Sequence, residues 1–154
     1  MENNKQDKKS KKGYLTVISI LIVIVAFVIV MVNGVTVKED NKSISISGGI
    51  FYSVDVDYSD IENVELRDNI KCGNRNNGFG GFGYNLGNYS NSEFGKYKLF
   101  IKNSIDKVVV ITYDEDKVVA FNTKDEDETE KMYNILLEKL ENSWNTYINF
   151  KEVS

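Results

Sequence analysis

The chain has 154 residues, enough for one domain of ordinary size together with a targeting segment. It contains no histidine and a single cysteine, Cys72, which excludes histidine-based nucleophilic catalysis, nearly every catalytic zinc site and an intramolecular disulfide. The formal net charge of −4 argues against binding to nucleic acid.

The N-terminal part predicts a membrane anchor. Residues 1–13 form a basic tail with five lysines and two acidic residues, and the nineteen residues 14–32 are uncharged and mostly apolar. As a helix they would span about 28 Å, close to the hydrocarbon thickness of a bilayer. The stretch is longer than the apolar part of a cleaved signal peptide, and no small-residue cleavage pattern follows it. We therefore predict an uncleaved transmembrane helix with a short linker over 14–37.

The flanking charges predict the orientation of this helix. Positively charged flanks tend to stay in the cytoplasm, and the tail is basic. Lys38, Glu39 and Asp40, which follow the apolar stretch, carry a net negative charge. The prediction is a single-pass protein of the cell membrane with its N-terminus inside and residues 38–154 outside.

Residues 38–154 predict one β-rich domain closed by a helix. Six stretches show the alternation or the β-branched runs that are typical of strands: 43–47, 51–57, 62–67, 96–102, 107–113 and 117–121. Residues 69–95 are rich in glycine and asparagine and predict a long loop or a pair of frayed strands.

The hydrophobic period changes from that of a strand to that of a helix after Asp125. Apolar residues recur four positions apart, and Asp125 with Glu128 has the spacing of a capping box. One apolar stripe therefore faces the core and closes the sheet. The predicted cap residues are Leu136, Leu140 and Trp144.

No catalytic residue, metal site or cofactor site is predicted. The G-x-G-x-x-G pattern at 78–83 lacks the preceding strand and the following helix that a dinucleotide site needs, so no nucleotide is expected. The acidic run 125–130 is explained by helix capping. Residues 55–66 lack the glycine and the final glutamate of a calcium loop.

The candidate contact surface is the glycine-rich stretch with its flanks. Aromatic side chains alternate there with glycines and are bracketed by basic residues, which suits contact with an anionic head group or another protein. The alternative is structural, with the aromatic rings folded over the mouth of the sheet while the glycines form turns. The candidate residues are Arg67, Lys71, Arg75, Phe79, Phe82 and Tyr84.

Several stretches resemble the bacterial pleckstrin-homology-like (PH-like) domain family. They are YSDIENVELR at 58–67, RNNGFG at 75–80, LGNY at 86–89, FGKYK at 94–98 and VVAFN at 118–122. The resemblance covers about residues 43–141, up to and including part of the C-terminal helix. It implies a bent antiparallel β-barrel of about seven strands capped by the helix, and no enzymatic activity.

Three functions remain open. The first is a non-enzymatic, membrane-anchored interaction module that binds a protein or an envelope component near the membrane. The second is a domain that binds a lipid or another anionic head group, although residues 38–154 contain only fourteen basic against twenty-one acidic residues. The third and weakest is a carboxylate-based hydrolase, for which no paired-carboxylate motif stands out.

Overall fold

The computed structural model describes residues 3–31 and 34–152, and it describes side chains over 13–28 and 34–142. The chain falls into two units, Met1–Asn33 and Gly34–Ser154. The side chain of Trp144, one of the predicted cap residues, lies outside the described residues, as do the side chains of most of the basic tail.

The first unit consists of one helix, α1 (Asn3–Met31), which includes most of the basic tail and of the apolar stretch. Nearly all of the large apolar side chains described in it, from Tyr14 to Val28, are exposed. Among the residues whose side chains are described, no helix combines the length and the apolarity that crossing a membrane requires. The anchor over 14–37 therefore stays a prediction from the sequence.

The second unit contains two sheets. The three-stranded sheet is antiparallel, with its strands side by side in chain order: β1 (Val35–Glu39), β2 (Ser43–Gly48) and β3 (Tyr52–Asp57). A short 3₁₀ turn, Tyr58–Asp60, leads into the second sheet. That sheet has six strands: β4 (Ile61–Asp68), β5 (Asn74–Gly81), β6 (Tyr84–Asn91), β7 (Gly95–Lys102), β8 (Lys107–Tyr113) and β9 (Lys117–Phe121). The C-terminal helix is α2 (Glu126–Glu152).

The mainly β fold with a C-terminal helix is confirmed, but the predicted barrel of about seven antiparallel strands is wrong in detail. Within 34–152 the chain forms nine strands, and the two sheets do not close into a barrel. Of the two structures predicted for the glycine-rich stretch, the pair of strands is confirmed, because the stretch contains β5 and β6. The six strands lie in the order β4-β8-β9-β7-β6-β5, and β9 runs parallel to β7. This parallel pair arises because the β8–β9 hairpin folds back and inserts β9 between β8 and β7.

One face of the six-stranded sheet packs against the three-stranded sheet and α2. Ile44 of β2, Val109 of β8 and Phe121 of β9 belong to one fully buried cluster. Leu136 of α2 is fully buried in the same cluster, and Leu140 is partly buried against it. The apolar stripe of the helix therefore lies on this core over at least one turn.

The other face of the six-stranded sheet curls around a second core. β4 and β5 are its two edge strands, yet only the five residues 69–73 connect them. In a flat sheet these edges would be about 24 Å apart, more than such a connection spans at full stretch. The sheet curls instead, since the Arg67 guanidinium of β4 binds Glu93 in the β6–β7 turn and lies 5.3 Å from the centroid of the Phe94 ring.

The connection 69–73 lies across this second core. The Tyr97 hydroxyl donates a 2.7 Å hydrogen bond to the Cys72 carbonyl, and the Asn91 amide donates one of 2.8 Å to the Lys71 carbonyl. The buried members of the core are Tyr89, Tyr97, Leu99, Ile101, Val108, Val110, Val118 and Ala120. Both faces of the sheet are thus apolar, so its central strands lack the polar alternation of a sheet with one face in water.

Candidate ligand groove

The six predicted contact residues do not form a single site. Arg67 lies in β4, away from the β5–β6 turn. Its guanidinium binds the carboxylates of Glu93 and, at 2.7 Å, Glu65. Hydrogen bonds to these two carboxylates raise the pKa of the Arg67 guanidinium. Since two carboxylates neutralise its charge, Arg67 holds the curled sheet together and offers no free cation to a ligand.

The other five residues follow the β5–β6 hairpin and the connection before it. Phe79 and Tyr84 are partly buried against the first core, whereas Phe82 at the turn is 71% exposed. Arg75 is exposed, and its guanidinium lies so close to Gly80 that a Cβ there would collide with it. Lys71 is exposed in the connection. The structure therefore brings four of the predicted residues, Arg75, Phe79, Phe82 and Tyr84, to the turn end of this hairpin.

A cleft lined by polar and aromatic side chains opens elsewhere on the six-stranded sheet, between β7 and the start of β9. It has a volume of about 610 Å³. Its polar lining comes from four strands and consists of Asn76, Asn77, Asn88, Ser90, Lys96, Lys98 and Lys117, beside Tyr113.

The cleft exists because β7 and β9 diverge. These parallel strands share only three residue pairs, from Lys98 with Val119 to Phe100 with Phe121. The first residues of β7 do not pair with the first residues of β9. The cleft is the space between these two strand ends. A short parallel pair thus creates a gap in a sheet that is otherwise continuous.

A second, smaller cleft of about 230 Å³ adjoins the first one. It is lined by Phe51 and Tyr52 of the β2–β3 hairpin, and it shares Asn77, Asn88 and Lys98 with the first cleft. The Lys98 ammonium donates a 2.9 Å hydrogen bond to the Ser53 carbonyl, which joins the two sheets at this point. We call the two clefts together the lysine groove.

The lining of the lysine groove contains three lysines and no carboxylate side chain as described. The domain as a whole is acidic, because residues 38–154 contain fourteen basic and twenty-one acidic residues. Lys117 is paired with Asp114, whose carboxylate raises the pKa of the lysine. Lys96 and Lys98 form no ion pair with any carboxylate in the described part of the chain. Lys96 is therefore available to an anion, and Lys98 has two N–H donors left beside its hydrogen bond to the Ser53 carbonyl.

The lining of the lysine groove suits binding and offers little for catalysis. Ammonium and amide groups donate hydrogen bonds to carboxylate and phosphate oxygens. Burial raises the pKa of Tyr113, so its hydroxyl stays neutral near pH 7. No carboxylate or thiol lines either cleft as described. Within the described residues no group of three or more acidic or cysteine side chains could hold a metal ion.

Reasoning from the sequence missed the groove lysines. The signal that could have found two of them is their spacing, because Lys96 and Lys98 are two apart in a strand and so lie on the same face. Nothing in the sequence places Lys117 beside them. That neighbourhood depends on β9 lying next to β7, which the order of the chain does not reveal.

The second unit matches a known protein family. A family model described as a bacterial PH domain matches residues 34–134, which begin at the first residue of the second unit and end within α2. No curated protein and no solved structure matches the chain.

Proposed function

We propose that this chain, which belongs to the bacterial PH domain family, is a non-enzymatic binding module that takes an anionic partner in the lysine groove. Domains of this family are generally non-catalytic. The observation that carries the proposal is the pair Lys96 and Lys98, which line an open cleft and have no described carboxylate partner. The side chains of Asn76 and Asn77 on β5 and of Asn88 on β6 line the same cleft and add amide donors beside the two lysines.

The shape of the groove favours an extended acidic segment of a partner protein. Two adjoining clefts of about 610 and 230 Å³ offer more room than one phosphate or carboxylate would fill. Tyr52 in the smaller cleft and Tyr113 in the larger one add aromatic contact surface. An extended chain with several carboxylates could use both clefts at once, and the rings would contact its apolar side chains.

We also propose that residues 14–32 anchor the module in the cell membrane, with the lysine tail inside and the binding domain outside. This rests on the sequence, in which nineteen uncharged residues follow a basic tail. The side chains of 29–32 lie outside the described residues. Such an anchor would confine the partner search to the neighbourhood of the membrane.

The test is a titration of residues 34–154 with a short polyglutamate peptide. Binding is monitored through the backbone amide chemical shifts of the protein by NMR. We expect the largest shifts along the groove strands, and we expect affinity to fall steeply as ionic strength rises from about 0.05 to 0.5 M. Replacing Lys96 and Lys98 by glutamine should weaken binding about tenfold, equivalent to about 1.4 kcal/mol. The matched control replaces Lys38 and Lys42, which are exposed outside the groove, and should change affinity little.

Two outcomes would contradict the proposal. If the control variant lost as much affinity as the groove variant, the binding would reflect net charge and not the groove. If the peptide did not bind while vesicles containing phosphatidylglycerol bound in a Lys96- and Lys98-dependent way, the ligand would be a lipid head group and not an acidic protein segment.

A further inference from the structure

The exposed apolar side chains of the second unit are concentrated in two turns. Among the described residues 34–142, the large apolar side chains that are exposed are Ile50 at 54%, Phe51 at 63% and Phe82 at 71%. The first two lie in the β2–β3 turn and the third lies in the β5–β6 turn. We call these three residues the apolar rim.

The two turns of the apolar rim flank the residue at which the second unit begins. The Gly34 carbonyl accepts a 3.3 Å hydrogen bond from the Gly49 N–H in the β2–β3 turn. A Cβ on Gly34 would lie 3.1 Å from the hydroxyl oxygen of Tyr84, the first residue after the β5–β6 turn. In the sequence, the uncharged stretch 14–32 ends two positions before Gly34. The proposed anchor would therefore join the domain between these two turns.

The backbone conformation at residue 82 does not favour a phenylalanine, so the turn itself does not explain why an exposed aromatic ring occurs there. Phe82 has a φ of 49°, in the left-handed region that favours glycine or asparagine. Its ring stacks on Phe79 with centroids 6.2 Å apart, yet most of its surface faces outward. A glycine would form this turn with less strain, so the phenylalanine serves the stability of the isolated domain poorly.

The surrounding charge suits an anionic surface. No acidic residue occurs from Asn69 to Ser92, a stretch that contains Lys71 and Arg75 in an otherwise acidic domain. The Arg75 guanidinium lies against Gly80, one position from the end of β5. Aromatic side chains with nearby cations are typical of protein segments at the interface of a bilayer with anionic lipids.

We propose that the apolar rim is a second membrane contact, in which Phe82, Phe51 and Ile50 enter the interface of an anionic bilayer and Arg75 meets its phosphates. The proposal rests on the anchor proposed above, which would deliver this end of the domain to the bilayer. Along β6, Ser90 in the lysine groove lies six residues from Tyr84, a distance of about 20 Å. The contact would thus fix the orientation of the domain and present the Lys96 end of the groove away from the lipid.

The experiment uses spin labels on the full chain in vesicles of phosphatidylethanolamine and phosphatidylglycerol. Single cysteines replace Phe82, Phe51, Ile20 in the anchor, or Glu115 in the β8–β9 turn at the opposite end of the sheet, each in a Cys72→Ser background. Relaxation by oxygen, which concentrates in lipid, is compared with relaxation by a water-soluble nickel complex. We expect labels at 82, 51 and 20 to favour oxygen and the label at 115 to favour nickel.

The outcomes separate this contact from the anchor. If the label at 20 lies in lipid while those at 82 and 51 behave like the one at 115, the rim contact is wrong and the anchor stands. If the labels at 82 and 51 lie in lipid while that at 20 is in water, the rim contact stands and the anchor is wrong. If all four labels are in water, both proposals fail.

A second variant distinguishes the loss of the membrane contact from the loss of the folded structure. Phe82→Gly removes the ring and relieves the left-handed backbone, so the domain should stay folded with an equal or higher melting temperature. The label at Phe51 should then lose oxygen relaxation toward the value found at Glu115. Unchanged relaxation at 51 in a folded Phe82→Gly protein would remove Phe82 from the contact and overturn the proposal for this residue.

Discussion

Asn122 offers the sharpest test of how the six-stranded sheet is held together. It follows β9 directly and its side chain is fully buried. Its Oδ1 accepts a 2.8 Å hydrogen bond from the Lys102 N–H, while its Nδ2 donates to the carbonyls of Lys102 at 3.0 Å and Ile105 at 3.2 Å. One amide thus joins the end of β9 to the end of β7 and to the turn before β8.

Replacing Asn122 by alanine should cost about 2–4 kcal/mol of unfolding free energy. The change leaves the Lys102 N–H and the Ile105 carbonyl without the partner they have in Asn122, whereas the Lys102 carbonyl keeps a 3.2 Å hydrogen bond from the Ile105 N–H. Each buried orphan costs about 1–3 kcal/mol. Water entering the vacated space would satisfy some of them, which keeps the sum below the upper limit. A loss of this size is a large part of the roughly 5–15 kcal/mol that stabilises an ordinary domain.

At neutral pH Asn122→Asp should lower the free energy of unfolding more than Asn122→Ala does. The loss caused by Asn122→Asp should also depend on pH. One carboxylate oxygen can still accept the hydrogen bond from the Lys102 N–H. The other replaces the donating amide nitrogen and faces the carbonyl oxygens of Lys102 and Ile105. Burial and these carbonyls raise the pKa of the new carboxyl in the folded state above the value of about 3.9 in the unfolded chain. The unfolded state then loses its proton first as pH rises. The destabilisation is therefore smallest below about pH 4 and grows toward pH 7.

The assay is urea unfolding of residues 34–154, followed by circular dichroism at several pH values, with each variant compared with the parent at the same pH. Asn74→Asp, at an exposed position in β5, is the control and should change stability by less than about 0.5 kcal/mol at any pH. An Asn122→Ala protein within about 1 kcal/mol of the parent would refute the bridging role. So would an Asn122→Asp protein whose loss is the same at low and neutral pH.

Three further results are expected. Leu136→Ala should lower the free energy of unfolding in urea by about 2–5 kcal/mol, because Leu136 is fully buried. The control Glu138→Ala, at an exposed position of the same helix, should lower it by less than about 0.5 kcal/mol. Equal effects would show that α2 does not belong to the core. Tyr58→Phe should leave stability unchanged or raise it by up to about 1 kcal/mol, since the buried hydroxyl has no described partner, while Tyr97→Phe should cost about 1 kcal/mol because it removes a 2.7 Å hydrogen bond to a backbone carbonyl; the reverse order would contradict both assignments. Residues 34–154 alone should give a monomeric, β-rich protein by gel filtration and circular dichroism, and an aggregated product would mean that the second unit needs the first.

Local pattern was enough to predict the elements whose residues have a strong intrinsic preference. Alternation identified β2 and β3, and the apolar runs identified β8 and β9, because side chains of a strand point to opposite faces with a period of two. The change to a period of four residues identified α2 for the same kind of reason.

Local pattern could not decide between a loop and a pair of strands in the glycine-rich stretch, where pairing overrides preference. β5 has the sequence NRNNGFGG, in which glycine and asparagine disfavour strands, yet it pairs along most of its length with β6. β6 in turn pairs with β7 over all eight of its residues. The strands form because a well-ordered neighbour supplies the hydrogen bonds, and no single-segment property reports the presence of that neighbour.

The candidate site shows the same division between sequence and tertiary structure. The sequence determined the composition of the surface: an acid-poor, aromatic and basic stretch inside an acidic domain, after an uncharged segment. Only the tertiary structure decided which cations are free, because the curl of the sheet neutralises Arg67 with Glu93 while the divergence of β7 from β9 opens a cleft beside Lys96 and Lys98. The physical reason is that charge is a property of each residue, whereas ion pairing and accessibility depend on strands that lie far apart in the chain and meet only when it folds.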